Sequence, residues 1–266
     1  MASGIPDFTE PNVARIYDYL LGGKDHRAVD RTAAEQMIAR EPALPLLAKE
    51  NRAFLGRAVR YLVDAGVRQF IDVGTGLPTQ GHVHELVPKD AHVVYVDSDP
   101  VVRSHARALI AGLPGTVIVD GDLRWPNRLL ADPDVRRLID FDQPCVVLLC
   151  AVLHFLGEKD SPHGVVATFH ECMAPGSYLV LTHATGDVPT AAVKAAAVRE
   201  LYAGTDRPGT LRSLNRIRAF FQGLELVDPG LVPVSTWRPA QPTAIDREGE
   251  WLYGGVGRKP SPGPIA

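Results

Sequence analysis

Three carboxylates stand at matching places in this chain, each just beyond a run of β-forming residues, and a glycine turn accompanies the first. Arg68-Gln69-Phe70-Ile71-Asp72-Val73 runs into Gly74-Thr75-Gly76, His92 to Val96 leads to Asp97-Ser98, and Thr116 to Asp120 leads to Gly121-Asp122-Leu123. Gly74 and Gly76 lack a Cβ, so the backbone there can take positive φ and press against a ligand, and a helix beginning just beyond would aim its free N–H groups at it. Asp72, two residues before the first glycine, would repel a pyrophosphate but can receive an ammonium group. The third glycine of a dinucleotide fingerprint would fall at Thr79, one step after Pro78. That substitution points away from NAD and toward a ligand without phosphates that carries positive charge. Asp97 lies about twenty residues further on, where a carboxylate accepts hydrogen bonds from both hydroxyls of a ribose. Asp122 can accept from an adenine amino group while Leu123 covers the ring. A single acid at a strand end often only caps the next helix, and Asp99 before Pro100 has that form. Three acids in register after three successive strands describe a nucleoside site.

These residues carry a resemblance. Asp72-Val73-Gly74-Thr75-Gly76, Val96-Asp97-Ser98-Asp99-Pro100 and Asp120-Gly121-Asp122-Leu123 resemble the successive cofactor motifs of class I S-adenosylmethionine (SAM)-dependent methyltransferases. Upstream, Pro11 to His26 resembles the N-terminal signature of a bacterial SAM methyltransferase family long catalogued as a domain of unknown function. The likeness continues through Asn51 to Leu55, Gly76 to Thr79, Val152 to Phe155, Gly223 to Val227 and Tyr253 to Val256, nearly the whole chain. It implies SAM as cofactor and S-adenosylhomocysteine (SAH) as product. The cofactor residues it implies are Tyr17, Arg52, Asp72, Gly74, Thr75, Gly76, Asp97, Ser98, Asp122, Leu123, Cys150 and Ala151. Tyr17 either closes on the methionine moiety or belongs to the core of the N-terminal helices; Arg52 either pairs with the cofactor carboxylate or lies on a helix surface. The family carries no agreed methyl acceptor.

The sulfonium of SAM is already an activated donor, so the protein's task is positioning, worth on the order of 7 to 11 kcal/mol in the best intramolecular cases. A base is needed only for a nucleophile that enters protonated. His154, just past the fourth strand, is the candidate base, with lining the methionine end or bonding backbone as the alternative; His183, past the fifth strand, is a second candidate. No metal is expected, since no pair of ligands has zinc or calcium spacing, and His82 and His84 at i, i+2 on a helix would point in different directions.

With 266 residues, 45% of them hydrophobic, the chain can bury one sizeable core. Its net charge of −3 and scattered Lys and Arg leave no footprint for nucleic acid; a small-molecule acceptor is expected, and the charge is compatible with an acidic or neutral one. Cys145, Cys150 and Cys172 read as reduced thiols, the longest apolar run is far short of a membrane span, and no signal pattern opens the chain, so a cytoplasmic protein is expected. Periodicity places helices over residues 12–21, 29–40, 54–63, 79–87, 100–111, 134–139, 165–173, 191–202 and 213–222, alternating with five strands. Two tail strands, 224–227 and 251–257, close the sheet. The expected fold is α/β: a doubly wound, mostly parallel, seven-stranded Rossmann-like sheet with an N-terminal helical extension and an antiparallel C-terminal strand. Residues 1–48 are expected to form a helical lid hinged at Gly22-Gly23, and residues 49–266 the SAM-binding domain, with frayed ends. Two other functions fit the same residues: a SAM-binding sensor or partner module without catalysis, and an NAD-dependent oxidoreductase. Asp72, Thr79 and the closing hairpin argue against the latter.

Overall fold

The computed structural model describes residues 9–79, 81–187, 196, 199–200, 202–205, 207–240 and 250–261. Most of the alanine-rich helix expected at 191–202, and residues 1–8 and 262–266 of the ends expected to fray, lie outside them. Five parallel strands form the centre of the sheet: β1 (Gln69–Val73), β2 (His92–Asp97), β3 (Thr116–Asp120), β4 (Val146–Cys150) and β5 (Tyr178–Ala184). The tail supplies three more, β6 (Glu225–Leu226), β7 (Val232–Pro233) and β8 (Leu252–Arg258), so the sheet has eight strands where seven are expected. The order is β3-β2-β1-β4-β5-β8-β6, with β7 also paired to β8 and β8 antiparallel to β5. Strand order reverses between β1 and β4, which opens a crevice over the carboxyl ends of the strands.

Period-two alternation splits the strand side chains between two layers. Phe70, Val146 and Leu148 face a core shared with α1 (Val13–Leu21), α2 (Ala28–Arg40), α3 (Leu44–Asp64) and α5 (Pro100–Leu109). Ile71, Val73, Val147 and Leu149 face the other core, shared with α6 (Pro126–Leu130), α7 (Pro133–Leu138), α8 (Pro162–Cys172) and α9 (Leu214–Arg218). Each fully buried aliphatic or Phe side chain is worth about 1.5 to 3 kcal/mol, so a continuous apolar run such as β4 specifies a central strand. Between β1 and β2 the helix is shorter than expected: α4 spans only Val83–Leu86 and is capped at His82. The glycine turn is therefore not followed directly by a helix N-terminus. His82 lies outside the helix, and its ring stacks on His84 at 5.3 Å rather than pointing away from it. Lys259 is not frayed; its Nζ donates to the carbonyls of His170 (2.8 Å) and Met173 (2.7 Å).

The N-terminal helices are built into the fold. Asn12 caps α1, its Oδ1 accepting from Ala14 N (3.0 Å) and Arg15 N (3.2 Å), a cap worth about 1 kcal/mol. Gly22 ends α1 in the left-handed region (φ 82°). Ile16, Leu20 and Leu21 join the same core as Phe54, and the buried pair Arg15 Nε to Asp30 Oδ2 (2.7 Å) locks α1 to α2. Pro45 occupies the first turn of α3, where its missing N–H is harmless, so α3 begins ten residues before its periodic stretch and runs through residue 48, the expected boundary. The sequence Gly-Gly-Lys-Asp-His after α1 wraps the carboxylate of Asp18. Asp18 Oδ2 accepts from Asp25 N (2.9 Å) and meets His26 Nδ1 (3.2 Å), while Oδ1 accepts from Thr79 Oγ1 (2.8 Å). A Cβ on Gly23 would fall 1.9 Å from Asp18 Oδ1, so any other residue there would have to displace the clasped carboxylate. Asp18 thus ties the end of α1 to the loop beyond Gly76.

Candidate cofactor and acceptor site

All twelve candidate cofactor residues, and His154, border a single cavity of about 450 Å³ over the carboxyl ends of the strands. Its floor is the turn after β1. Gly74 (φ 73°) and Gly76 (φ 68°) are both left-handed, a conformation that side chains resist. At Gly74 the added constraint is not a ligand but Val152, whose Cγ2 would lie 2.6 Å from a Cβ; at Gly76 a Cβ would meet nothing within 4 Å. Gly74 N (2.8 Å) and Thr75 N (3.2 Å) donate to the carbonyl of Val96, and Gly76 N donates to Asp97 Oδ2 (3.0 Å). The first strand's turn is thereby stitched to the acid of the second, whose other oxygen accepts from Asp99 N (2.9 Å). Asp99 itself caps α5, accepting from Val101 N (2.7 Å).

Asp72 is 4% exposed, and burial pushes its carboxyl up to about 6 against the opposing pull of the Arg52 guanidinium. Thr75 Oγ1 donates to it (3.2 Å). A buried carboxylate short of charge compensation is a receptor for an ammonium group. Burial likewise raises Asp97. Asp122 is only partly buried, which would raise its carboxyl, but Arg124 grips both oxygens through Nε (3.0 Å to each) and Nη2 and holds it below the ordinary carboxylate range. Leu123 beside it is buried at the cavity wall, and Ser98 Oγ accepts from Arg207 Nη2 (2.8 Å).

Above this floor stand α1 and α3. Tyr17 donates through its hydroxyl to Ala48 O (3.1 Å) and accepts from Asn51 Nδ2 (2.9 Å). Burial raises Tyr17 above the ordinary phenol value. Asn51 is 2% exposed, and its Oδ1 is buried without a hydrogen-bond partner. Arg52 donates from Nη2 to Gly81 O (3.0 Å).

The remaining wall lies over β4, β5 and β8. Cys150 ends β4, where burial raises its thiol, and Ala151 follows in the left-handed region (φ 55°), its N donating to Thr182 Oγ1 (2.8 Å). A non-glycine residue held there stores roughly 1 to 3 kcal/mol and re-aims the chain into a 3₁₀ turn (Leu153–Phe155). His154 in that turn contacts Phe155 edge-on at 4.5 Å and His183 at 5.6 Å. Burial, then the nearby Arg212, lowers His154 to about 4, so it is neutral at pH 7. His183 does not reach the cavity. β5 extends to Ala184 and buries it; Nδ1 lies 2.7 Å from Ala184 O and Nε2 lies 2.8 Å from Arg212 Nη1, so both nitrogens are engaged and it is not a free base.

Sequence reasoning missed Asn51, Arg212 and the clasp role of Asp18. Asn51 sits within a stretch already quoted for its family likeness, but Arg212 follows a loop and has no motif around it. Among the described residues no group of three or more His, Cys, Asp or Glu could hold a metal ion, and no helix is long and apolar enough to cross a membrane.

A doubly wound sheet with an antiparallel closing strand, a glycine turn flanked by strand-end acids, and a buried carboxyl awaiting a cation define a class I SAM-dependent methyltransferase. Residues 3–260 match the S-adenosyl methyltransferase family model, and the chain belongs to that family. It is 39% identical to a protein of Thermobifida fusca YX whose crystal structure is described as a candidate methyltransferase, with 96% of this chain and 97% of that one covered and a TM-score of 0.90. It is 37% identical to a DUF574 family protein of Streptomyces avermitilis MA-4680, covering 96% and 99%, with a TM-score of 0.91. The plantazolicin methyltransferase BamL, in complex with a triazolic desmethylPZN analog and SAH, shares the fold at 10% identity, 94% and 96% coverage and a TM-score of 0.55. No curated protein matches the sequence significantly. The chain is a SAM-dependent methyltransferase.

Proposed function

We propose that the chain methylates a small organic molecule, held in the same cavity as the cofactor and opposite its strand-end acids. The observation that carries this reading is the continuity of that cavity, from Asp97 and Asp122 at one end to His154 and Trp251 at the other. In this assignment Asp97 receives the ribose hydroxyls, Asp122 the adenine amino group, and Leu123 the face of the ring. Asp72 receives the ammonium group. Asn51 and Arg52 face the amino-acid end from α3, and the unpartnered Oδ1 of Asn51 is an acceptor waiting for a donor there. Bound SAM supplies an activated methyl group; the protein supplies position and dryness.

Tyr17 and the segment from Pro11 to Arg15 border the cavity from above, and the Asp18 clasp couples them to the glycine loop. We infer that α1 and α2 act as a lid that tightens over the cofactor and releases SAH on loosening. Hydrogen exchange of residues 16–26 with and without SAH checks this: protection should rise with SAH, and equal protection would make the segment ordinary scaffold. The methyl-transfer reading is tested by calorimetry with SAM and SAH followed by a cocrystal structure. Density for the methionine moiety away from Asp72 would refute the assignment.

A further inference from the structure

The carboxylates lining the cavity are confined to one side of it. Asp72, Asp97, Asp99 and Asp122 stand at the ends of β1, β2 and β3, and Glu10 lies on the N-terminal segment. The wall over β4, β5 and β8, which includes His154, Phe155, Ala184, Leu211, Trp251 and Leu252, carries no carboxylate among the described residues. Behind it lies a buried cation. Arg212 is 2% exposed; Nη1 donates to Leu153 O (3.1 Å) and Nη2 to Leu156 O (2.7 Å), the two carbonyls that bracket the His154 turn. Its carboxylate partner, Glu158 (Oε1 3.1 Å), also holds Arg216, so these three groups sum to one positive charge.

The protonation of His154 follows from its surroundings. Thr210 N donates to its carbonyl (2.6 Å), which fixes the turn, and Nδ1 is buried without a partner while the ring lines the cavity. The nitrogen left to face the cavity is Nε2. A proton on Nδ1 would be a buried donor with no acceptor, whereas a lone pair there is favoured by the positive charge of Arg212, which acts on this ring. The neutral ring therefore carries its proton on Nε2 and presents a donor to the cavity, not a lone pair.

We propose that His154 serves the methyl acceptor as a neutral hydrogen-bond donor, and that the acceptor is an oxyanion on an apolar body, an organic acid or acidic phenol that arrives already ionised. This rests on reading the cavity as a methyl-transfer site. The oxyanion accepts from His154 Nε2–H in the field of Arg212, and its apolar body lies against Phe155, Leu211 and Trp251. Transfer then needs no base: the oxygen–carbon bond forms as the carbon–sulfur bond breaks, the electron pair stays on sulfur, the two opposite charges cancel, and no proton moves. An ammonium acceptor would meet the field of Arg212 with no carboxylate among the described residues of this wall to offset it.

The test is calorimetric titration of SAH-loaded protein at pH 8 with four probes: 1-naphthoate, 4-nitrophenolate, 1-naphthylmethanol and 1-naphthylmethylammonium. At least one anion should bind about tenfold more tightly than the alcohol and the ammonium, the scale of one charge-assisted hydrogen bond; which anion wins separates carboxylate from phenolate. In His154→Phe, with SAH affinity retained, the preferred anion should fall to the level of the alcohol. Equal binding of the ammonium or alcohol, no saturable binding of either anion, or undiminished anion binding by His154→Phe would overturn the proposal. Long-range ¹H–¹⁵N NMR of the unaltered protein gives an independent reading. The Nε2–H tautomer with Nδ1 bare is expected, and an Nδ1–H tautomer would overturn the donor role. If SAH itself failed to bind, the cofactor reading would fall first, and calorimetry with SAH alone separates that failure from this one.

Discussion

The two ends of the cavity are made differently. The cofactor end is built from backbone and short acids: two left-handed glycines, peptide N–H groups anchored on Val96 O and Asp97, and one carboxylate at the tip of each of three adjacent strands. The end assigned to the acceptor is built from side chains brought in by segments far apart in the chain, the turn after β4, the 209–211 stretch and the start of β8. The first recognises a fixed ligand through groups that cannot vary without moving the backbone. The second is a surface of apolar side chains that can change one at a time while the sheet stays as it is.

The largest expected effect is at the glycine turn. Gly74→Val forces a β-branched residue to positive φ and drives its Cβ into Val152; each penalty is about 1 to 3 kcal/mol, so thermal stability should drop markedly and SAH binding should fall more than a hundredfold. The contrasting change, Phe155→Ala at the other end, should leave SAH affinity within about twofold, since it removes only acceptor surface. If both variants lost SAH equally, the division between the ends would not exist. Next is Asp97→Ala, which removes the ribose acceptor and should cost roughly 1.5 to 3 kcal/mol of SAH affinity by calorimetry. Unchanged affinity in the folded variant would sink that placement.

A pH series sharpens the comparison further. Burial raises Asp72 to about 6, so only above that pH is it the anion an ammonium needs. SAH affinity should fall about tenfold per pH unit below 6 and stay flat in this range for Asp72→Asn, whose affinity at pH 8 should already be low. The same shift acts on stability with opposite sign. The folded protein without ligand holds this proton more tightly than the unfolded chain, so the contribution of Asp72 to stability is full below pH 4 and declines by roughly 3 kcal/mol as the pH rises through 6. Asp72→Asn should therefore raise the melting temperature of the ligand-free protein at neutral pH while abolishing tight binding. A lowered melting temperature would show that the carboxylate is already compensated. The smallest effect belongs to Asp18→Ala, which unties Thr79 from α1 and should weaken SAH by a few-fold, near 1 kcal/mol.

The cofactor end was legible because each of its parts is local. Asp72-Val73-Gly74-Thr75-Gly76 holds a strand end, a turn and a charge within five residues, and the fold follows from the same alternation of apolar runs and turns. The acceptor end was not, because Arg212 and Trp251 acquire meaning only when β5 and β8 pair, and no spacing in the sequence announces that Arg212 will bracket the His154 turn. The sequence Gly-Gly-Lys-Asp-His was noticed and read as a hinge. Its partner, Asp18, lies within the preceding helix, and no spacing in the sequence announces that its carboxylate will hold Asp25 and His26. The helix expected after Pro78 shrank to α4 for a related reason: the loop is held by Asp18 through Thr79 and needs no helix to shape it.

β8 lies between β5 and the short strands β6 and β7, which among the described residues join the sheet only through it. In the order of synthesis, β6 and β7 leave the ribosome before β8, the strand they pair with in the folded sheet. Their native pairing therefore waits for β8. Its first residue, Leu252, pairs with Ala184, and both line the cavity. A nascent chain can thus complete the ends of β1, β2 and β3, where the strand-end acids stand, before β8 adds Leu252 to the cavity wall.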